Sequence, residues 1–284
     1  MPLRQTRISN RAAVARERAA IARELLAECR LCAHDCGANR LSGPAGLCHA
    51  STQPRVFSAQ LEAGDELELI PTYAIAFSGC DLRCDFCITG HQSWDPGAGT
   101  ICQAEAVARA AETALAQGAR TVMFLGGEPT IHLPTALELV SFLPDEVTLV
   151  WKTNAHGSAR ARSLLAGLFD VWLADFKFGN DLCAERLARV PRYLRTVMDN
   201  LLWASAHSDL IVRHLLMPGH IECCWRPIAE WIADTLPGCK VALRREFWPG
   251  WHSAKHPELR RTTRPAEQEE ARQIALDLGL ALIE

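Results

Sequence analysis

The stretch Phe77–Cys87 reads FSGCDLRCDFC and places three cysteines at positions 80, 84 and 87. It directly follows an apolar run, and thiolates are soft ligands suited to iron–sulfur clusters, zinc and Cu(I). Three thiolates leave one iron of a [4Fe–4S] cluster without a protein ligand, whereas a structural zinc site closes with four ligands. His91 is close in sequence, so a zinc site with three cysteines and this histidine stays an alternative for the loop.

From about residue 73 onward, short apolar runs alternate with helical patterns. The predicted strands cover residues 73–79, 119–127, 147–154, 171–178, 210–219 and 240–247. The predicted helices cover residues 106–118, 134–143, 158–167, 192–206, 223–235 and 265–278. Such alternation predicts an α/β fold with a parallel sheet covered by helices. Six repeats fit a partial (βα)6 TIM-like barrel, and the period alone also allows an open doubly wound sheet.

Polar residues recur where the predicted strands end. The three cysteines follow the first strand, and GGEPT (126–130) follows the second. The third strand carries Lys152 to Asn154, the fourth carries Asp175 and Lys177, and the fifth carries Arg213 and His214. Because sites in α/β proteins form at the carboxyl ends of parallel strands, we expect these groups to share one edge of the sheet.

The three-cysteine spacing, followed by GGEPT after the second strand, resembles the radical SAM superfamily. The segments DFKFG, VRHLLMPGH and FLGGEPT are most similar to those of the pyruvate formate-lyase activating enzymes and their homologues with an extra N-terminal cysteine segment. The resemblance covers roughly residues 70–284. It implies a partial (βα)6 barrel in which Cys80, Cys84 and Cys87 hold a [4Fe–4S] cluster that binds S-adenosylmethionine (SAM).

The resemblance also implies roles for the polar residues at the strand ends. Gly126, Gly127 and Glu128 match the segment that receives the methionyl ammonium of SAM. Lys152 and Asn154 match the position that contacts the ribose or the carboxylate. Further cofactor contacts are implied for Arg213 and His214, which lie near the adenosyl group, and for Phe86, which lies beside the adenine. Core packing is the alternative for Phe86, and a simple ion pair is the alternative for Asp175 and Lys177.

The implied reaction begins with one electron passing from the cluster to SAM, which gives methionine and a 5′-deoxyadenosyl radical that abstracts a hydrogen atom. A reducing donor such as a flavodoxin or ferredoxin is therefore an implied partner. We expect an activase-like enzyme that acts on a glycine or another residue of a protein or peptide. A modifier of a small molecule or peptide natural product is the second hypothesis, and a zinc-binding or electron-transfer module without SAM chemistry is the third.

A second group of cysteines precedes the barrel, in the segment CRLCAHDCGANRLSGPAGLC. Four thiolates within 20 residues can close a zinc site or hold a second iron–sulfur cluster. We expect a metal at Cys29, Cys32, Cys36 and Cys48, and the spacing leaves its identity open. His34 and His49 are alternative ligands in the same segment.

The predicted organisation has three parts: an N-terminal helix (1–28), a cysteine-rich metal-binding segment (29–69) and a radical SAM core (70–284). The arginines of the first part occur together with glutamates, which favours a helix over an acid-poor transit peptide. A net charge of −3 gives no nucleic-acid footprint, and no apolar run is long enough for a membrane helix. We expect a cytoplasmic protein with no nucleic-acid or membrane partner.

The remaining cysteines include an adjacent pair, Cys223 and Cys224, next to His220. Adjacent thiols near a helix start can be reactive, but a buried cysteine is more often a small apolar side chain. Cys102, Cys183 and Cys239 are interpreted as structural.

Overall fold

A computed structural model describes residues 8–64 and 66–283, which form one nine-stranded sheet. The strands in chain order are β1 (Arg55–Glu62), β2 (Thr72–Phe77), β3 (Thr100–Ile101), β4 (Thr121–Gly126), β5 (Thr148–Thr153), β6 (Val171–Asp175), β7 (Asp209–Leu215), β8 (Lys240–Arg244) and β9 (Ala281–Ile283). Their order across the sheet is β3-β1-β2-β4-β5-β6-β7-β8-β9. The seven strands from β2 through β9 in that order are mutually parallel, while β1 pairs antiparallel with both β2 and β3.

The helices of the described residues include one before the sheet and several that follow the parallel strands. They are α1 (Arg11–Glu24), α2 (His91–Trp94), α3 (Ala104–Ala116), α4 (Leu133–Val140), α5 (Ala159–Leu165), α6 (Asp181–Ala188), α7 (Tyr193–His207), α8 (Arg226–Thr235) and α9 (Pro265–Asp277). The six predicted strands and six predicted helices are all present, which confirms the α/β fold with a parallel sheet expected of a partial TIM-like barrel. The sequence pattern missed β1, β3, β9 and the short helices α2 and α6.

The two faces of the sheet bury different sets of side chains. Val122 and Phe124 of β4 pack with the helices in the main apolar core, whereas Met123 between them belongs to a second cluster. That second cluster draws on the central strands through Met123, Val150, Val171, Leu173, Ile211 and Ala242. Successive side chains of a strand point to opposite faces of the sheet, and both faces are covered by apolar clusters. The strands therefore read as continuous apolar runs.

The N-terminal helix α1 packs against α4 on the outside of this core. Its small residues Ala15, Ala19 and Ala22 are buried, and they let the two helices approach closely. Arg11 is fully buried and donates from Nη2 to the carbonyl oxygens of Pro144 and Val147, at 2.7 and 2.8 Å. Residues 1–7 of the predicted N-terminal segment lie outside the described residues. No helix in the described part of the chain combines the length and apolarity needed to span a bilayer.

Candidate active site

The three-cysteine loop lines a cavity of about 1030 Å³ at the carboxyl ends of the parallel strands. Cys80 and Cys84 are each 8% exposed, and Cys87 is half-buried. The backbone of the loop is anchored on the end of α6, where Arg83 N donates to Ala188 O at 3.0 Å and Asp85 N to Leu187 O at 2.8 Å. The loop therefore has a fixed support on a helix that follows β6.

Burial makes the thiols of Cys80 and Cys84 poor acids. It raises the pKa of Cys84 to about 12 and holds the pKa of Cys80 well above its usual value. Metal ligation requires the thiolate, so the positive charge of bound metal must stabilise what burial disfavours. Two buried thiols with a third, half-buried one beside them fit a metal centre better than they fit reactive nucleophilic cysteines.

The spacing of the three thiols is compatible with an iron–sulfur cluster. In a tetrahedral site with Zn–S bonds of about 2.3 Å, the sulfur atoms lie about 3.8 Å apart. Among the described residues, the groups of three ligand atoms within 4.8 Å of one another are Cys183–His220–Cys223 and His34–Asp81–His156. Cys80, Cys84 and Cys87 do not form such a group. Each thiolate of a [4Fe–4S] cluster binds a different iron, so the wider spacing fits the cluster.

The glycines of GGEPT pack against the chain that enters the cysteine loop. A Cβ atom on Gly126 would overlap the backbone of Phe77, and one on Gly127 would overlap the carbonyl group of Gly79. Gly127 N donates to Phe77 O at 2.8 Å and Glu128 N to Gly79 O at 3.0 Å. The resemblance assigns these glycines to the segment that receives SAM, and in the structure their close approach is to the residues preceding Cys80.

Glu128 joins the ends of β4 and β5. Its carboxylate is buried and accepts hydrogen bonds from Thr130 N at 3.0 Å, Thr153 Oγ1 at 2.9 Å and Asn154 N at 2.8 Å. Burial and the nearby Asp81 carboxylate raise the pKa of Glu128 to about 7, against these hydrogen bonds, which favour the ionised form. The side chain thereby fixes Thr153 and Asn154 at the edge of the cavity.

A buried network around Asp81 connects the cysteine loop to the N-terminal segment. Asn154 Nδ2 donates to Asp81 Oδ1 at 2.7 Å, and His156 Nδ1 lies 3.0 Å from Asp81 Oδ2. His34 Nε2 lies 2.9 Å from the carbonyl oxygen of Asp81. Burial raises the pKa of Asp81, but the interactions with His156 and Asn154 outweigh it and hold the pKa below its usual value. Sequence reasoning did not identify Asp81 or His156, because their pairing depends on how distant segments pack.

Several further predicted residues line the same cavity. They are Phe86, Gly126, Gly127, Glu128, Lys152, Asn154 and Arg213. Phe86 also packs edge-on against Phe178, with ring centroids 5.9 Å apart, so its contact with the cavity and its core packing coexist. Asp175 and Lys177 line the cavity as an ion pair, and Arg213 pairs with Glu66 at 3.5 Å.

His214 is not brought to the cavity. Its Nδ1 lies 2.7 Å from Phe176 O, and its ring stacks on Trp225 at a centroid distance of 5.1 Å, within the helical layer. Burial lowers its pKa to about 4. Neighbouring residues of a strand point to opposite faces, so the orientation that directs Arg213 to the cavity directs His214 away from it. The prediction that His214 contacts the cofactor is therefore not met.

The N-terminal cysteine segment packs beside the cysteine loop. Ala33 N donates to His156 O and Ser158 N to Leu31 O, each at 2.9 Å, which holds the segment against the turn after β5. Within it, Arg40 is buried and donates from Nη1 to Cys29 Sγ at 3.5 Å. The thiols of this segment include buried Cys29 and Cys48, half-buried Cys32 and exposed Cys36.

A parallel α/β sheet with a buried three-thiol loop beside a large cavity defines an iron–sulfur enzyme that works at the carboxyl edge of its strands. The family model of the radical SAM superfamily matches residues 75–232. An uncharacterised protein of Methanocaldococcus jannaschii is 31% identical over 270 residues, which is 91% of this chain and 77% of the relative. The chain belongs to the radical SAM superfamily, whose enzymes use a [4Fe–4S] cluster and SAM.

Two further comparisons cover less of their targets. The 7-carboxy-7-deazaguanine synthase of Halobacterium salinarum is 35% identical over 72 residues, 25% of this chain and 27% of the synthase. Structures of Streptococcus suis SuiB bound to SAM and to the precursor peptide SuiA give TM-scores of 0.55 and 0.54, at 16% and 14% identity. These matches cover 70% and 72% of this chain but only 44% and 46% of the SuiB chains, and they show a shared fold.

Proposed function

We propose that this chain is an activase-like radical SAM enzyme that abstracts a hydrogen atom from a residue of a protein or peptide. In this proposal Cys80, Cys84 and Cys87 ligate the cluster, and Gly126, Gly127, Glu128, Lys152, Asn154, Arg213 and Phe86 form the SAM site. When bound, the cluster supplies the electron that cleaves SAM to methionine and the hydrogen-abstracting 5′-deoxyadenosyl radical. The chain contributes the ligands, the orientation of the substrate and the exclusion of water.

The observation that carries the proposal is the size and rim of the cavity. A volume of about 1030 Å³ lies at the upper end of the range for small-molecule pockets, so it leaves room for a second molecule beside SAM. Trp248 and Ile88 line it while remaining 72% and 80% exposed. Exposed aromatic and aliphatic side chains at a cavity mouth are typical of a polypeptide-binding surface. The SuiB fold, which has been crystallised with a precursor peptide, is consistent with such a substrate.

The test of this proposal uses a deuterium label. The reconstituted enzyme is incubated anaerobically with SAM, a reductant and a glycyl-radical partner enzyme whose glycines carry deuterium at Cα. One electron and one SAM are consumed for each bond broken, so we expect deuterium in 5′-deoxyadenosine and a glycine-centred EPR signal. SAM cleavage with neither deuterium transfer nor the EPR signal would contradict the polypeptide substrate while leaving the radical SAM chemistry intact.

A small anionic substrate is the second candidate function. Arg244 and Arg245 line the cavity beside β8, which lies five strands from β2 in the sheet order. Arginine forks bind carboxylates and phosphates in a bidentate manner. In the same assay, deuterium transfer from a small labelled acid but not from the polypeptide would favour this candidate.

We also propose that Cys29, Cys32, Cys36 and Cys48 hold a second iron–sulfur cluster rather than zinc. No three of these thiols belong to the ligand groups within 4.8 Å found among the described residues, whereas a cluster binds each thiolate to a different iron. The segment also contacts Asp81 through His34, next to the first cluster loop. A flavodoxin- or ferredoxin-type donor at the exposed Cys36 side would be well placed to pass electrons inward.

We expect about eight irons per chain after anaerobic reconstitution, from two [4Fe–4S] clusters. A variant with all four N-terminal cysteines changed to alanine should retain about four irons and no added zinc, as measured by elemental analysis and Mössbauer spectroscopy. A variant with Cys80, Cys84 and Cys87 changed to alanine is the matched control and should also retain about four. About four irons in the wild type, together with a zinc that is absent from the variant without the four N-terminal cysteines, would contradict the second cluster.

A further inference from the structure

A third group of thiols lies outside the SAM cavity. Cys183 is on α6, and Cys223 and Cys224 are on a turn, Ile221–Trp225, that leads into α8. Cys183 Sγ lies 3.9 Å from Cys223 Sγ, and Cys223 Sγ lies 3.9 Å from Cys224 Sγ. His220 precedes this turn and is buried. None of the four residues lines the cavity that holds the cysteine loop.

The geometry points to a zinc site with Cys183, His220 and Cys223 as its protein ligands and a water molecule in the fourth position. One ligand atom from each residue lies within 4.8 Å of the other two. The 3.9 Å separation of the two sulfur atoms matches the spacing of about 3.8 Å that tetrahedral zinc thiolates require. Neither of the two cysteine motifs described above has this compact spacing. Mixed thiolate and imidazole ligands are the set that zinc prefers.

The hydrogen bonds of His220 orient it for metal binding. Nδ1 lies 2.9 Å from the carbonyl oxygen of Pro218 and donates to it, so Nε2 presents a lone pair. A histidine ligand is commonly held by this type of second hydrogen bond, which fixes its tautomer and raises its basicity. The position facing Nε2 is taken by a cation, because Arg186 Nη2 lies 3.0 Å from it.

Arg186 reaches His220 from a partly exposed position. Its side chain is 45% exposed and also pairs with Glu258. When zinc binds, the guanidinium swings away from His220 and keeps its carboxylate partner. Arg186 thus competes with the metal, and removing it is expected to increase the affinity for zinc.

A metal at this site would restrain the cluster loop through helix α6. It ties the first turn of α6 to the turn before α8, and the last residues of α6, Leu187 and Ala188, carry the backbone of Asp85 and Arg83. A metal at the start of α6 therefore restrains the helix on which the iron–sulfur loop is anchored. This role does not depend on the identity of the substrate.

The test is a zinc titration of the reconstituted full-length protein against a chromophoric chelator, with Co²⁺ absorption as a second readout. The wild type should bind one zinc per chain, and Co²⁺ bound at the same site should show thiolate charge-transfer bands. Loss of a residue that hydrogen-bonds to a metal ligand costs about 10- to 100-fold in metal affinity, so loss of a ligand itself in Cys183→Ala or Cys223→Ala should cost at least about 100-fold. Arg186→Ala, at a partly exposed position, should bind zinc about tenfold more tightly.

Cys239→Ala is the matched control, since it removes a partly buried thiol whose contacts are with Leu210 and Lys240 and not with a proposed ligand. It should keep zinc affinity within about threefold, and circular dichroism will report whether each variant is folded. Equal zinc binding by the wild type and Cys183→Ala would overturn the proposal. So would a mass loss of two hydrogens that identifies a Cys183–Cys223 disulfide in the anaerobic protein, or iron instead of zinc at this site. An unchanged affinity in Arg186→Ala would remove the proposed competition.

Discussion

Replacing Cys84 with alanine is expected to abolish SAM cleavage. Cys84 is the middle thiol of the loop, is 8% exposed and lines the cavity, and its loss leaves the proposed cluster with two protein ligands. The yield of 5′-deoxyadenosine, measured by chromatography under anaerobic reduction, should fall at least about 1,000-fold, equivalent to about 4 kcal/mol in barrier height. Iron content should fall by about four per chain, because a [4Fe–4S] cluster with two protein ligands is not retained.

Cys102→Ala is the control for this variant. Cys102 is also a buried thiol, at 7% exposure, but it lies next to α3 and does not line the cavity. Removing its sulfur should cost about 1 kcal/mol of unfolding free energy through the space it leaves. Its SAM cleavage and iron content should match the wild type. If Cys84→Ala retained its iron and produced 5′-deoxyadenosine, the cluster would have to be assigned to other cysteines.

The barrel could be predicted because its strands are apolar on both faces. Runs such as those of β4 and β5 are continuous enough to be recognised without any partner. Strand β1 was missed because it lies near the sheet edge with only one fully buried residue, Val56. Strands β3 and β9 have two and three residues, too few for a period. Helix α6 was not predicted because a single helix, α7, was enough to connect β6 to β7 in the βα pattern.

The edge of the sheet that carries the site could be predicted for a related reason. Carboxyl ends of parallel strands meet, so residues such as Cys80, Glu128 and Asn154 are close whatever the details of packing. The exact partners could not be inferred. Asp81 contacts His34 and His156, which are 47 and 75 residues away in the chain, and neither contact follows from strand order.

The misplacement of His214 has a different origin. It was assigned together with Arg213 because both match one family segment, although a strand directs consecutive side chains to opposite faces. The period of two was available in the sequence and would have separated them. Likewise, Cys183 was interpreted as structural because its partner Cys223 lies 40 residues away and comes close only through the packing of α6.

Gly127→Ala is expected to destabilise the protein before any cofactor binds. A Cβ atom there would overlap the carbonyl group of Gly79 and lie 3.2 Å from Cys80 N, so the chain entering the cysteine loop would have to move. Overpacking against backbone costs about 3 kcal/mol. Thermal unfolding of the iron-free protein should show a clear fall in Tm, and iron uptake on reconstitution should fall with it.

Gly64→Ala is the matched control, because Gly64 also lines the cavity, has no heavy atom within 4 Å of an added Cβ and needs no positive φ. Its free energy of unfolding should stay within about 0.5 kcal/mol of that of the wild type. The pair of variants separates two reasons for a glycine at position 127. If the glycine serves only the approach of SAM, Gly127→Ala should leave the iron-free protein as stable as Gly64→Ala and weaken SAM binding alone. If it serves the packing of β4 against the residues before Cys80, stability falls first, and weak SAM binding is a consequence of a displaced cysteine loop.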